Sequence, residues 1–256
     1  MNNYLDLSCR RAVITGGAGH LGRVTAELFL EQGSSVVLTD IVPNVASKEL
    51  FRPFTPYAGR WSYIQASVSD REQVKLMLKQ AAEVLGGIDI LVNCAVKSKI
   101  VLVENMATYE EWDETINVAL SGTFYCCREV FPYMKPTGGS IVNISSIAGL
   151  VALPRGTTHY SAAKSGVLGL TRSLALEWAK YSIRVNSVAP GQFDTLPLRK
   201  LMENKSFAND ILNSIPMGRV GNSKEIALAV LYLASSASSF ITGQTIVADG
   251  GATTSM

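Results

Sequence analysis

Metal-binding and disulfide-forming side chains are scarce in this chain. Its 256 residues include two histidines, His20 and His159, and four cysteines with no CxxC spacing. So few soft ligands, in no metal-binding pattern, argue against a metal centre and point any chemistry toward an organic cofactor. Cys126 and Cys127 are adjacent, a poor arrangement for a disulfide, and with Cys9 and Cys94 they read as reduced thiols. No apolar run reaches about 18 residues, and the N-terminal MNNYLDLSCRR lacks a signal-peptide core, so the expectation is a cytoplasmic protein. A charge excess is missing too. Lys and Arg number 23 against 21 Asp and Glu, a net +2 scattered along the chain, which offers nucleic acid or an anionic membrane no electrostatic footprint. Repeats and low-complexity linkers are also absent, which favours one domain over residues 1–256.

What is present is apolar material, 47% of residues against 17% charged. It falls into short runs rich in β-branched residues: AVIT (12–15), SVVLT (35–39), WSYIQA (61–66), IDILVN (88–93), SIVNIS (140–145), IRVNSV (183–188) and TIVA (245–248). Continuous runs without polar alternation are the mark of parallel strands covered on both faces. Helical patterns separate them. Ser69 with Glu72, Thr108 with Glu111 and Asn222 with Glu225 have capping-box spacing, and Gly33 and Gly86-Gly87 stand where helices should stop. Alternating β and α predicts an α/β fold with a doubly wound, Rossmann-like parallel sheet of seven strands. Two segments break the rhythm. Residues 43–60 hold Pro43, Pro53 and Pro56 and read as a long loop; residues 191–216 carry a short helical pattern beyond a strand's carboxyl end and read as a lid.

The first strand runs into TGGAGHLG, with glycines at 16, 19 and 22. Between a strand and a helix, such glycines let backbone N–H groups approach a pyrophosphate at the helix's positive end. Asp40 follows Gly22 by eighteen residues, at the end of the second strand. A carboxylate there accepts ribose hydroxyls and repels a 2′-phosphate, which favours NAD over NADP. Later, Tyr160 and Lys164 stand at i and i+4 on one helix face. A phenol needs a neighbouring cation to exchange a proton near neutral pH, and Lys164 is placed to supply it.

Taken together, AVITGG, NCA, INVALSGTF, NISSIAG, YSAAKSG, RVNSVAPG, PMGRVG and ITGQTIVADGG resemble the short-chain dehydrogenase/reductase family, in its short single-domain branch, over nearly the whole chain. The resemblance implies the strand order 3-2-1-4-5-6-7 and reversible hydride transfer between nicotinamide and a secondary alcohol or ketone on a small polar substrate. Sugars, polyols, sugar acids and 3-oxoacyl compounds are the expected classes. By the same resemblance Tyr160 is the acid/base, Lys164 holds the nicotinamide ribose and depresses the tyrosine, Ser146 steadies the substrate oxygen and Asn117 holds a relay water. Cofactor contacts are implied for Gly16, Gly19, His20, Leu21, Gly22, Asp40, Ile41, Ser67, Val68, Asn93, Ala95, Pro190, Gly191, Phe193 and Thr195. A homotetramer, or at least a dimer, is implied as well, with SSFITGQTIVADGG in an interface.

The chain departs from the family pattern in places. His20 occupies a slot the short branch gives to glycine, and the TGxxGxxG spacing resembles a longer, epimerase-like branch. Histidine enters left-handed backbone space more readily than most residues, so the turn is expected to survive. Ser67 replaces an adenine-contacting Asp, NCAV replaces NNAG, and Ser146 lies fourteen residues before Tyr160, one more than is common. Lys97, Lys99 and Arg155 fall near the active-site mouth, where they would suit an anionic substrate or be ordinary solvated side chains. His159 points away from Tyr160 on its helix and is left outside the site. Two other readings compete with the dehydrogenase: a dinucleotide-binding sensor or scaffold without turnover, and an NAD-dependent sugar epimerase or dehydratase.

Overall fold

The computed structural model describes residues 3–44, 49–97, 99–106, 108–153 and 156–254. Strands β1 (Arg11–Thr15), β2 (Ser35–Asp40), β3 (Trp61–Gln65), β4 (Ile90–Asn93), β5 (Gly139–Ile144), β6 (Ile183–Pro190) and β7 (Thr245–Ala248) fall on the seven apolar runs. They form one parallel sheet in the order β3-β2-β1-β4-β5-β6-β7, as expected. Side chains alternate across a strand, so a sheet covered on both faces buries both sets. Ile14, Leu38, Val92 and Val142 enter one apolar layer. Their neighbours Val13, Val37, Leu91 and Ile141 enter the other.

Helix α1 (His20–Glu31) and a late helix (Ser223–Ala234) cover the first face. On the second lie α2 (Arg71–Leu85), α3 (Glu110–Ile116), α4 (Gly122–Met134) and α5 (Thr158–Trp178). Cys126 and Cys127 of α4 are buried there, and desolvation pushes the Cys127 thiol up to about 12, the behaviour of a packing residue rather than a redox one. Residues 191–216 hold two short helices, α6 (Leu196–Leu201) and α7 (Lys205–Asn213), capped by Thr195 and Asn204. The late helix, α8, starts on a true capping box between Asn222 and Glu225.

Two local expectations need correction. Asp70, not Ser69, caps α2, accepting the N–H groups of Glu72 and Gln73, because it directly precedes the helix while the Ser69 hydroxyl pairs with Ser67 Oγ at 2.8 Å. The proline-rich segment also holds a 3₁₀ turn, Arg52–Tyr57. It forms because Pro53 presets its first turn and Phe54 is buried against Phe51 and Trp61, 5.7 and 5.5 Å away between ring centres.

Candidate active site

Parallel pairing brings the carboxyl ends of β1, β2, β4 and β5 level, with Thr15 opposite both Thr39 and Asn93, and Asn93 opposite Asn143. Open α/β sheets bind ligands beyond this end, where the connections part. Two cavities open there, of about 1030 and 380 Å³, sharing Gly16, Asp40 and Val96 in their walls.

The glycine loop is shaped by close approach. Gly16 turns with φ 65°, and a Cβ on it would stand 2.8 Å from the Ala95 backbone; one on Gly17, whose role the spacing of glycines did not show, would meet Leu38 at 2.6 Å. Gly19 then caps α1 with no side-chain bond, which leaves the first-turn N–H groups available to an anion. Asp40 closes the arrangement. One carboxylate oxygen accepts the Ala18 N–H at 3.0 Å and the other the Ile41 N–H at 2.8 Å. A cradle emptied of Cβ atoms, a free helix start and a fixed carboxylate fit a dinucleotide. Residues expected to hold one do gather: Gly16, Asp40, Ile41, Ser67, Val68 and Ala95 line the larger cavity. Gly19, His20, Leu21, Gly22, Pro190, Gly191, Phe193 and Thr195 line the smaller.

His20 needs no left-handed backbone. It is the first residue of α1, Gly19 has φ −67°, and Gly16 carries the positive φ of the loop, so the conformational argument falls on a different residue. The imidazole instead lies near Asp194, Nε2 to Oδ1 at 3.7 Å. Asp194 is a junction that no short motif marked. It also accepts Ser223 Oγ–H and N–H at 2.5 and 2.8 Å and Arg199 Nη2 at 3.1 Å, tying the start of the 191–216 segment to α6 and α8. Burial works to raise its carboxyl, but these hydrogen bonds keep it below the ordinary carboxylate range.

Ser146, Tyr160 and Lys164 meet in the smaller cavity. Ser146 follows β5, and its Oγ accepts the Ala148 N–H at 3.2 Å. Lys164 is buried, donates to the Ile144 carbonyl at 2.6 Å and sits 5.7 Å from the centre of the Tyr160 ring. Desolvation lowers its ammonium to about 8. The expected depression of Tyr160 is not realised in the protein alone. Burial raises the phenol above its ordinary value, a hydrogen bond with Ser146 opposes that, and the Cys94 thiol adds to the rise.

Two further expected site residues have clear places. Asn117 is exposed and lines the larger of the two joined cavities. It begins a wide π-helical turn, Asn117–Ser121, between α3 and α4, whose buried residue is Ala119. The turn packs against α5, the helix that carries Tyr160 and Lys164. Asn93 points into the sheet packing instead, donating to Asn143 Oδ1 at 2.9 Å and Cys127 Sγ at 3.3 Å. Lys97 Nζ is held by Glu114 at 2.6 Å, and Arg155 lies outside the described residues. His159, set aside on the sequence, is fully buried and bonds the Lys99 carbonyl at 2.9 Å, while Val101 N–H donates to Gly156 O at 3.0 Å. These bonds fasten the loop after β4 to the start of the catalytic helix.

Comparison with known proteins agrees with this geometry. Residues 16–253 match the family model described as Enoyl-(Acyl carrier protein) reductase. A 3-oxoacyl-(acyl-carrier-protein) reductase of Thermotoga maritima is 41% identical over 252 residues, covering 96% of this chain and 99% of its own. A 2,5-dichloro-2,5-cyclohexadiene-1,4-diol dehydrogenase of Sphingobium indicum is 34% identical, covering 97% and 98%. Among solved structures, a gluconate 5-dehydrogenase of Burkholderia cenocepacia in complex with NADP and tartrate superposes with a TM-score of 0.93 at 30% identity, over 99% of each chain. With the sheet order, the glycine cradle and the Ser146, Tyr160 and Lys164 cluster, these likenesses show that the chain belongs to the short-chain dehydrogenase/reductase family of oxidoreductases.

Proposed function

We propose that the protein is an NAD-dependent dehydrogenase or ketone reductase in which Tyr160 exchanges the proton and Ser146 steadies the substrate oxygen. The observation that carries this reading is the convergence of Ser146, Tyr160 and Lys164 in a cavity continuous with the glycine cradle and Asp40. When bound, a nicotinamide dinucleotide would supply hydride chemistry and, oxidised, a positive charge. The chain's own part is to orient and to move the proton. Ser146 Oγ is placed to donate to a carbonyl oxygen, and Tyr160 to give or take the proton of the hydroxyl. Lys164 holds the cation beneath that exchange, anchored by Ile144.

NAD is supported by the Asp40 carboxylate and by the charge around it. Among the described residues lining the larger cavity the one cation is Lys97, already paired with Glu114. NADP, present in the gluconate 5-dehydrogenase structure, is the competing reading. For the substrate, the exposed apolar side chains Val96 and Leu196 in the cavity walls, with Ile100 on the loop of Val96 and Leu150 on the loop after β5, favour the 3-oxoacyl class over sugars and polyols. The exposed large side chains Trp112 on α3, Phe124 on α4, Leu176 on α5 and Phe240 before β7 support a homotetramer or dimer. Cytoplasmic placement belongs to the same reading. A screen of 3-oxoacyl thioesters, sugar acids, polyols and hydroxysteroids at the NADH and NADPH absorbance band tests it. Stoichiometric oxidation of NADH by a 3-oxoacyl thioester is expected; tight dinucleotide binding with no net redox change would favour the sensor or epimerase instead.

A further inference from the structure

The catalytic cavities lie at the carboxyl end of the sheet, and the amino end has one of its own. It measures about 220 Å³, and its wall includes Arg10, Arg184, Asp89, Ser182 and Ser239. Arg10 immediately precedes β1 and Arg184 is the second residue of β6. Arg184 is partly buried, and its guanidinium meets only neutral acceptors: Ser238 Oγ at 2.7 Å, Ser235 O at 3.1 Å and Ile241 O at 3.4 Å. A guanidinium carries five N–H donors, so these three bonds do not exhaust it. The single carboxylate in the wall is already committed. Asp89 accepts Arg11 Nε, Nη2 and backbone N–H at 2.7, 2.8 and 2.9 Å.

The wall therefore carries two guanidinium groups, and among the described residues neither has a carboxylate partner. Burial pushes Arg184 below its ordinary value, and the charge of Arg10 pushes the same way. The Asp89 carboxylate feels the charge of Arg10 but is bonded to Arg11, so positive charge in the wall is only partly compensated. The backbone gives an independent sign. Among the described residues, the non-glycine positions with left-handed backbone are Cys9 (φ 63°), adjoining Arg10, and Ser182 (φ 57°), in the cavity wall. Such conformations persist where the surroundings over-determine them, and they gather at binding sites.

We propose that this cavity binds a tetrahedral oxyanion of phosphate size, held between the forks of Arg10 and Arg184. Guanidinium groups match such an anion through paired N–H donors, and the Ser182 and Ser239 hydroxyls add neutral donors around it. The volume admits a single phosphate group with water but no dinucleotide.

Thermal stability, followed while inorganic phosphate is titrated at constant ionic strength, tests the assignment. The wild type, Arg10→Gln and Ser239→Asp are compared, with sulfate and sodium chloride as reference salts. The glycine cradle at the far end contributes equally to all three proteins, so their difference isolates this site. A saturable rise in Tm is expected for the wild type, with sulfate acting like phosphate. Arg10→Gln, a change at an exposed side chain, should weaken that binding by about ten- to a hundredfold. Ser239→Asp places a carboxylate among the arginines and should raise Tm without phosphate while removing this site's share of the response. An equal phosphate response in Arg10→Gln or in Ser239→Asp, or a wild-type response that sodium chloride reproduces, overturns the assignment.

Discussion

Two parts of the joined cavities at the carboxyl end of the sheet are built from different material. At the glycine loop, contacts come mainly from backbone, the Gly16 turn and the amides after it, beside the Asp40 carboxylate fixed by Ala18 and Ile41. At the other end of the smaller cavity, they come from side chains whose charge depends on burial, above all Tyr160 and Lys164. A backbone cradle tolerates change of side chain provided bulk is kept out. A buried proton-exchanging pair tolerates very little.

The sharpest break in that comparison is Tyr160→Phe. It should lower kcat by about 10²- to 10⁴-fold while dinucleotide affinity, measured by fluorescence titration, stays within about twofold; substantial residual turnover would remove the proton-exchange role. Lys164→Met should cost a comparable share of activity yet raise Tm, because it removes a cation that burial penalises. The sign follows from the lowered value: the folded protein gives up this proton near pH 8 and the unfolded chain only near 10.4. The wild type therefore gains stability as pH rises through that interval, and the advantage of Lys164→Met should be full below pH 8 and shrink above it. Calorimetry at pH 7 and pH 9.5 checks this; an advantage that grows with pH would contradict it.

Smaller effects belong to the cradle. Asp40→Ala should weaken NAD by about tenfold and narrow or reverse the preference against NADP. A wild type that already prefers NADP would overturn the reading of Asp40. His20→Gly should shift NAD affinity by no more than about twofold, since the loop's positive φ sits at Gly16 and not at residue 20. Isothermal titration separates this from a large loss, which would place the imidazole on the cofactor.

The same contrast explains what the sequence made legible. Strand positions and sheet order follow from apolar runs that need only a period and a bounded length. Gly16, Gly22 and Asp40 follow from a motif that describes backbone proximity. Side-chain direction is a different matter. Asn117 sits in a family-like motif, but the π-helical turn it opens is not encoded by that motif's spacing. Asn93 belongs to the right strand, but its amide is spent inside the sheet. Asp194 and His159 act through contacts across long sequence separations, with Ser223 and with the Lys99 carbonyl, that no local spacing encodes. The pull of Lys164 on Tyr160 was expected from their spacing together with the family resemblance, and neither reports burial, which raises the phenol in the free protein.

The amide of Asn93 leads further. Asn93 Nδ2 reaches Asn143, and Asn143 Nδ2 reaches the hydroxyl of Thr171 at 3.0 Å, a short polar seam in an otherwise apolar layer. A slip of one residue between β4 and β5 would turn these groups to opposite faces and strand them without partners. The seam thus works as a registration key. It fixes the height of two strand ends, one leading to Ala95 and the cofactor wall and the other to Ser146, so two halves of the reaction centre are kept level by a contact that touches neither ligand.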